Sequence, residues 1–408
     1  MSKILGIICE YNPFHNGHLY HIQESKKLVN PDYTVAVMSG NFTQRGDAAI
    51  VDKWARTEMA LRNGADLVIE LPLIYSISSA ENFALGSIKI LSQIQKDMTL
   101  SFGSECGDIS ILEKITEVFI KEPPEYKSIL KHELDKGLAY PKARENAVLM
   151  YLNDIRRYAN VLSSPNNILG IEYIKALRYL KSKMDYITIK RFGSDYNSTK
   201  THNKFASATA IREMFNNNQD LSEFMPKSSY NVIQNRLKYG QYVQNIKSFE
   251  KEIIYKLRIM SVEEIAEIQD VSEGLENKIK KAASSCNTLE ELIEKIKSKR
   301  YTLTRINRIL LYCLFDITKQ DVLLSYKKQP YLRILGMNDN GKDILRKLLK
   351  KNKNLPVITS VKKFEESNTN KFYQNLLEKD ILATDIYTLG YKNHSMANLD
   401  YTKKLIIL

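Results

Sequence analysis

Four cysteines in 408 residues, Cys9, Cys106, Cys286 and Cys313, are too few and too scattered for a disulfide framework. No CxxC pair occurs among them, which argues against a thiolate zinc site. Long apolar runs are missing too: no stretch approaches the roughly 20 uninterrupted apolar residues of a membrane helix. The start, Met1-Ser2-Lys3-Ile4-Leu5-Gly6, has no h-region and no small-residue cleavage site, and it reads as a first strand. Together these absences predict a cytoplasmic protein with no membrane partner. A P-loop is nearly spelled by Gly336-Met337-Asn338-Asp339-Asn340-Gly341-Lys342, but Asp343 stands where a magnesium-binding hydroxyl belongs. No strand of a parallel sheet is expected ahead of that segment, so it reads as a helix start.

What is present describes a globular chain, 43% hydrophobic and 26% charged, long enough for two or three domains. Its net charge of +13 is unevenly placed. Residues 1–150 hold 16 basic and 19 acidic side chains, leaving 44 and 28 for residues 151–408. A basic excess confined to one part suggests a polyanionic partner there, with a solvated helix face as the plainer alternative.

The first 220 residues alternate strand-like runs with helical patterns. The runs are Ile4–Cys9, Thr34–Met38, Leu67–Leu71, Met98–Phe102 and Tyr186–Ile189. Such alternation predicts an α/β fold, a Rossmann-like parallel sheet covered by helices. From about residue 221 to 408 helical patterns follow one another, with capping boxes at Ser261/Glu264 and Thr288/Glu291 and one short strand within Lys404–Leu408. The expected division is therefore an α/β domain, 1–220, and a mainly helical basic domain, 221–408.

Chemistry concentrates after the first strand, in Glu10-Tyr11-Asn12-Pro13-Phe14-His15-Asn16-Gly17-His18. Open parallel sheets bind ligands at the carboxyl ends of their strands. The helix beginning at about Gly17 offers unpaired N–H groups to an anion. His15 and His18, three residues apart, can both point at one phosphate chain and donate to oxygens that gain charge during attack at phosphorus. A structural pair or a metal site are the alternatives, but no carboxylate or cysteine completes a metal-ligand set in this segment. His21 reads as the next turn of the helix.

Asn12-Pro13-Phe14-His15-Asn16-Gly17-His18 resembles the HxGH signature of the nucleotidyltransferase superfamily, and Ser207-Ala208-Thr209-Ala210-Ile211-Arg212 resembles its second signature, Ser-x-Thr-x-x-Arg. Hydroxyls, amides and a guanidinium there would clamp the β- and γ-phosphates. The likeness extends through Gly40–Gly46, Asp52–Trp54, Asn63–Pro72, Ser101–Glu105 and Pro165–Tyr173, and more weakly through Tyr331–Gly336. Together these segments look like the bacterial tRNA(Met) cytidine acetate ligases.

That resemblance implies activation of acetate by ATP to acetyl-adenylate, and then acetylation of N4 of the wobble cytidine in elongator tRNA(Met). It implies His15 and His18 as catalytic residues and Mg²⁺ accompanying ATP. The implied ATP site comprises Ile7, Ile8, Cys9, Glu10, Tyr11, Asn12, Pro13, Phe14, His15, Asn16, Gly17, His18, Leu19 and Tyr20. It also takes in Gly103, Asn166, Arg191, Phe192, Ser207, Thr209 and Arg212. Gly103 would let adenine or ribose lie against backbone, and Arg191 could pair with phosphate.

Gln44, Arg45 and Lys53 are candidates for the acetate or nucleotide pocket, with capping or salt bridging as the equal alternative. Tyr326-Lys327-Lys328 and Lys362-Lys363-Phe364 have residue types suited to RNA, or are surface lysines beside core aromatics. Two other functions stay open: a coenzyme-type nucleotidyltransferase adenylating a small phosphorylated substrate, and an RNA-binding assembly factor with a vestigial nucleotide site.

Overall fold

The computed structural model describes residues 2–191, 205–272, 274–298 and 301–408. Five parallel strands form its centre: β1 (Ile4–Cys9), β2 (Tyr33–Ser39), β3 (Leu67–Leu71), β4 (Thr99–Ser104) and β5 (Asp185–Lys190). They lie in the order β3–β2–β1–β4–β5. All five match the runs expected from sequence, within two residues at either end.

Parallel neighbours need crossovers, and helices supply them. These are α1 (Asn16–Val29), α2 (Lys53–Arg62), α3 (Ala80–Ile94) and, ahead of β5, α4 (Pro165–Tyr179). The region between α3 and α4 breaks where the sequence demands it, at left-handed Glu122 followed by Pro123, at Gly137 and at left-handed Asn153.

Alternating side chains divide the core in two. Leu5, Ile7, Cys9, Ala36, Met38 and Val68 meet Ile22 of α1 and Ala55 and Met59 of α2. Ile211 and Phe215 of α5 (Ala208–Asn216) close the same core. Val35, Val37, Leu67, Ile69, Leu100 and Phe102 face the opposite way, toward α3 and α4. That second core continues into the helical segments between Ile246 and Lys327: Phe42, in the loop after β2, packs edge-on against Phe315 at 5.0 Å and tilted against Phe249 at 5.4 Å.

Beyond β3 the sheet is extended by the later part of the chain. β6 (Leu332–Met337) pairs antiparallel with β3, and β7 (Val357–Ile358) and β8 (Ile406–Ile407) pair with the far edge of β6. The expectation that no strand of the sheet precedes Gly336–Lys342 is thus corrected, because Leu332–Met337 is wholly buried and belongs to it. The helix start itself is present. Asn338 caps α6 (Asp339–Lys351), its side chain accepting from Gly341 N–H at 3.0 Å, and no phosphate loop forms. The short strand expected within Lys404–Leu408 is β8.

The capping box at Ser261/Glu264 closes as expected. At Thr288 only half of it forms, because the Glu291 carboxylate accepts from Asn287 N–H instead. The four cysteines are free. Among the described residues no helix is long and apolar enough to cross a membrane.

Candidate active site

The loop leaving β1 is built by its own aromatics. Tyr11 adopts left-handed backbone (φ 48°), an uncommon state for a bulky residue, and its ring is buried edge-on against Phe14 at 4.7 Å and His18 at 4.9 Å. The chain then enters α1 through His15, whose Nδ1 accepts from Gly17 N–H at 3.0 Å. His18 Nδ1 accepts in return from His15 N–H at 3.3 Å. The two histidines thus form a reciprocal capping box, with their rings stacked at 3.7 Å.

This box fixes the protonation of both rings. A backbone N–H can only donate, so each Nδ1 is unprotonated and each neutral ring carries its hydrogen on Nε2. Burial, reinforced by Arg191 and Arg212, pushes His15 down to about 3. Burial, with His15 and Arg191, holds His18 well below its ordinary value. Both are neutral N–H donors at physiological pH. His15 Nε2 is buried without a protein partner, so an acceptor arriving there would satisfy it. His21 is more than the next helical turn: it is pushed down to about 4 by burial and Arg191, and its Nε2 meets Ser101 Oγ of β4 at 3.1 Å.

Two guanidinium groups approach this loop. Arg212 donates to Asn12 O and to Thr209 Oγ1, both at 3.1 Å, which brings the second signature against the first. Ser207 is the N-cap of α5, accepting from Ala210 N–H at 3.1 Å. Arg191 follows β5, its N–H bonded to Ser104 O at 3.0 Å. Its side chain crosses Gly103, where a Cβ would lie 3.2 Å from Arg191 Cγ. Gly103 and Arg191, both expected at the nucleotide, are thus brought into contact.

Asn166 sits at the start of α4 with its amide donating to Glu105 Oε1 at 2.6 Å. Ile7 and Cys9 are core residues below the loop, Asn12 and Pro13 are buried within it, and Ile8, Leu19 and Tyr20 are half-buried beside it. Asn16 is tied to Phe224 O through its backbone at 2.9 Å. Phe192 lies outside the described residues.

The acetate-pocket candidates separate. Gln44 N–H donates to Glu10 Oε1 at 2.8 Å and its amide to Ser78 O at 3.0 Å, so its side chain is engaged in structure. Arg45 is exposed at the tip of the hairpin formed by Phe42–Thr43 and Asp47–Ala48. Lys53 is fully buried between Glu70 (2.8 Å) and Asp400 (2.9 Å), which is the salt-bridging alternative. Arg56, which sequence reasoning missed, is fully buried beneath the loop. At the suggested RNA segments, Phe364 is core beside exposed lysines, whereas Tyr326 is half-buried.

The HIGH Nucleotidyl Transferase family model matches residues 2–401. The tRNA(Met) cytidine acetate ligase of Thermoanaerobacter sp. (strain X514) is 47% identical over 99% of this chain and 100% of its own length. That of Acetivibrio thermocellus is 44% identical over the full length of both. Apo Thermotoga maritima TmcAL superposes with a TM-score of 0.92 at 34% identity, covering 100% of this chain and 99% of that one. The same protein bound with alpha-thio ATP superposes with a TM-score of 0.90 at 33% identity. With its two signatures joined through Arg212, the chain belongs to the tRNA(Met) cytidine acetate ligase family of HIGH nucleotidyl transferases.

Proposed function

We propose that this chain is a cytoplasmic ATP-dependent ligase that makes acetyl-adenylate and transfers its acetyl group to N4 of the wobble cytidine of elongator tRNA(Met). The observation that carries the reading is the histidine capping box, two neutral N–H donors flanked by Arg191 and Arg212 at the carboxyl edge of the sheet. The relatives' name supplies the substrates, and the α-thio ATP complex of the Thermotoga protein supports the nucleotide.

In the first step an acetate oxygen attacks the α-phosphorus, and the bond to the β-phosphate oxygen breaks, leaving pyrophosphate with the electron pair. Acetate is already ionised, so no base is required. What is required is that two anions be held together. His15 and His18 donate to the α-phosphate oxygens as charge develops on them, and Arg191 and Arg212 balance the triphosphate. Mg²⁺ would accompany ATP as part of the substrate, adding positive charge on the phosphates. In the second step the cytosine amine attacks the activated carbonyl carbon, its bond to the adenylate oxygen breaks, and AMP leaves as the amine loses a proton. Residues 1–220 carry this chemistry, and the basic excess of residues 221–408 serves the RNA.

Purified protein, ATP, radiolabelled acetate and bacterial tRNA test the reading. The expected result is acetate-dependent pyrophosphate release and label in the tRNA. An adenylated small molecule with unlabelled RNA, or RNA binding without turnover, would replace it with another function. His18→Ala should reduce pyrophosphate release about 10²–10³-fold, as expected for losing a donor to the transition state, while tRNA affinity stays within about threefold. Loss of tRNA binding alone would reassign the motif.

A further inference from the structure

Arg56, on the first turn of α2, is among the largest fully buried side chains in the protein. Its guanidinium bonds no carboxylate. Nε donates to Val51 O at 3.1 Å, Nη1 to Glu10 O at 2.7 Å and Ser39 O at 3.1 Å, and Nη2 to Gly40 O. Four backbone carbonyls from three separate segments thus converge on one planar fork. A buried charge without a direct counter-ion is costly, so a cationic fork in this position needs a reason beyond packing.

The carbonyls it selects suggest the reason. Glu10 O ends β1 and begins the histidine loop, Ser39 O and Gly40 O end β2 and begin the hairpin bearing Gln44 and Arg45, and Val51 O precedes α2. Two residues beyond Glu10, Asn12 O accepts from Arg212 at 3.1 Å. The same Asn12 accepts through Oδ1 from Ile50 N–H at 2.9 Å. The turn containing left-handed Tyr11 is therefore gripped on its two flanks in sequence, at Glu10 O by Arg56 and at Asn12 O by Arg212.

We infer that Arg56 is a positioning residue for adenylate formation, fixing the histidine loop against the loop after β2 through its fork of backbone acceptors. The inference rests on the proposed acetate activation, and it assigns Arg56 no contact with substrate. Arginine is required because four carbonyl acceptors spread over Nε, Nη1 and Nη2 match a guanidinium fork and not the compact ammonium of lysine. Arg56→Lys keeps the charge and loses the plane, whereas Arg56→Gln keeps a planar donor and loses the charge.

The test is acetate-dependent ATP–pyrophosphate exchange, which needs no tRNA, with thermal unfolding measured in parallel. Both variants should lose about 10²-fold in kcat, as displacement of a reacting group by about 1 Å does, with KM for ATP within threefold. The imidazole ¹⁵N shifts of His15 should move away from those of a pure Nε2–H tautomer. Wild-type kcat in folded Arg56→Lys, or a fall in melting temperature with kcat unchanged, overturns the inference. If wild-type protein shows no exchange, the proposed activity fails instead. Should neither variant fold, amide exchange on wild-type protein decides. The amides of residues 10–12, 40–42 and 52–56 should open at one common rate, and independent rates would overturn the inference.

Discussion

Gly17 shows how little room surrounds the histidine pair. A Cβ there would lie 2.9 Å from His15 Cε1 and 3.0 Å from its Nδ1, so a side chain would expel the ring from the N-cap. Gly17→Ala is expected to cost about 1 kcal/mol through the lost cap and about 10²-fold in adenylate formation through displacement of His15. Urea denaturation and pyrophosphate exchange measure the two losses. The spacing of His15 and His18 and the glycine between them were legible in the sequence. The tautomer was not, because it follows from which backbone N–H groups face which ring nitrogens. The contact between Gly103 and Arg191 was illegible for a related reason: the two lie across a strand pair, 88 residues apart.

At the scale of elements, the parallel strands were legible because their apolar runs are bounded by glycine, proline and polar turns. β6 was not. Tyr331–Met337 is flanked by lysine-rich helices, and its partner, β3, lies far back in the chain. The two are joined by more than backbone. Lys53 of α2, Glu70 of β3, Arg333 of β6 and Asp400 form one buried cluster, in which Arg333 meets Asp400 at 2.6 Å and Glu70 at 3.2 Å. Lys53 resembled a pocket residue in sequence only because neither carboxylate partner is local. Asp400→Ala leaves two buried cations to share Glu70, and it should destabilise the protein by about 3–5 kcal/mol. The check is the urea midpoint, with exchange activity expected to persist in protein that remains folded.

At the scale of the whole molecule, the buried histidines of α1 make the fold sensitive to acid. His15 and His21 are pushed down to about 3 and about 4 in the folded protein, against roughly 6.5 in an unfolded chain. The folded state binds fewer protons between those values. The stability this confers is complete above about pH 6.5 and is lost as pH falls through about 4 and then about 3. His21→Gln removes one of these groups while retaining a donor for Ser101. Its urea midpoint should therefore decline less steeply than wild type between pH 6.5 and 4.

The sheet is closed late in the chain. Leu332, where β6 begins, follows Leu71, the end of β3, by 261 residues. A ribosome adding 5–20 residues per second needs roughly 13–50 s to cover that distance. Throughout it the apolar edge of β3 on the nascent chain stands unpaired, a natural point of capture for a chaperone.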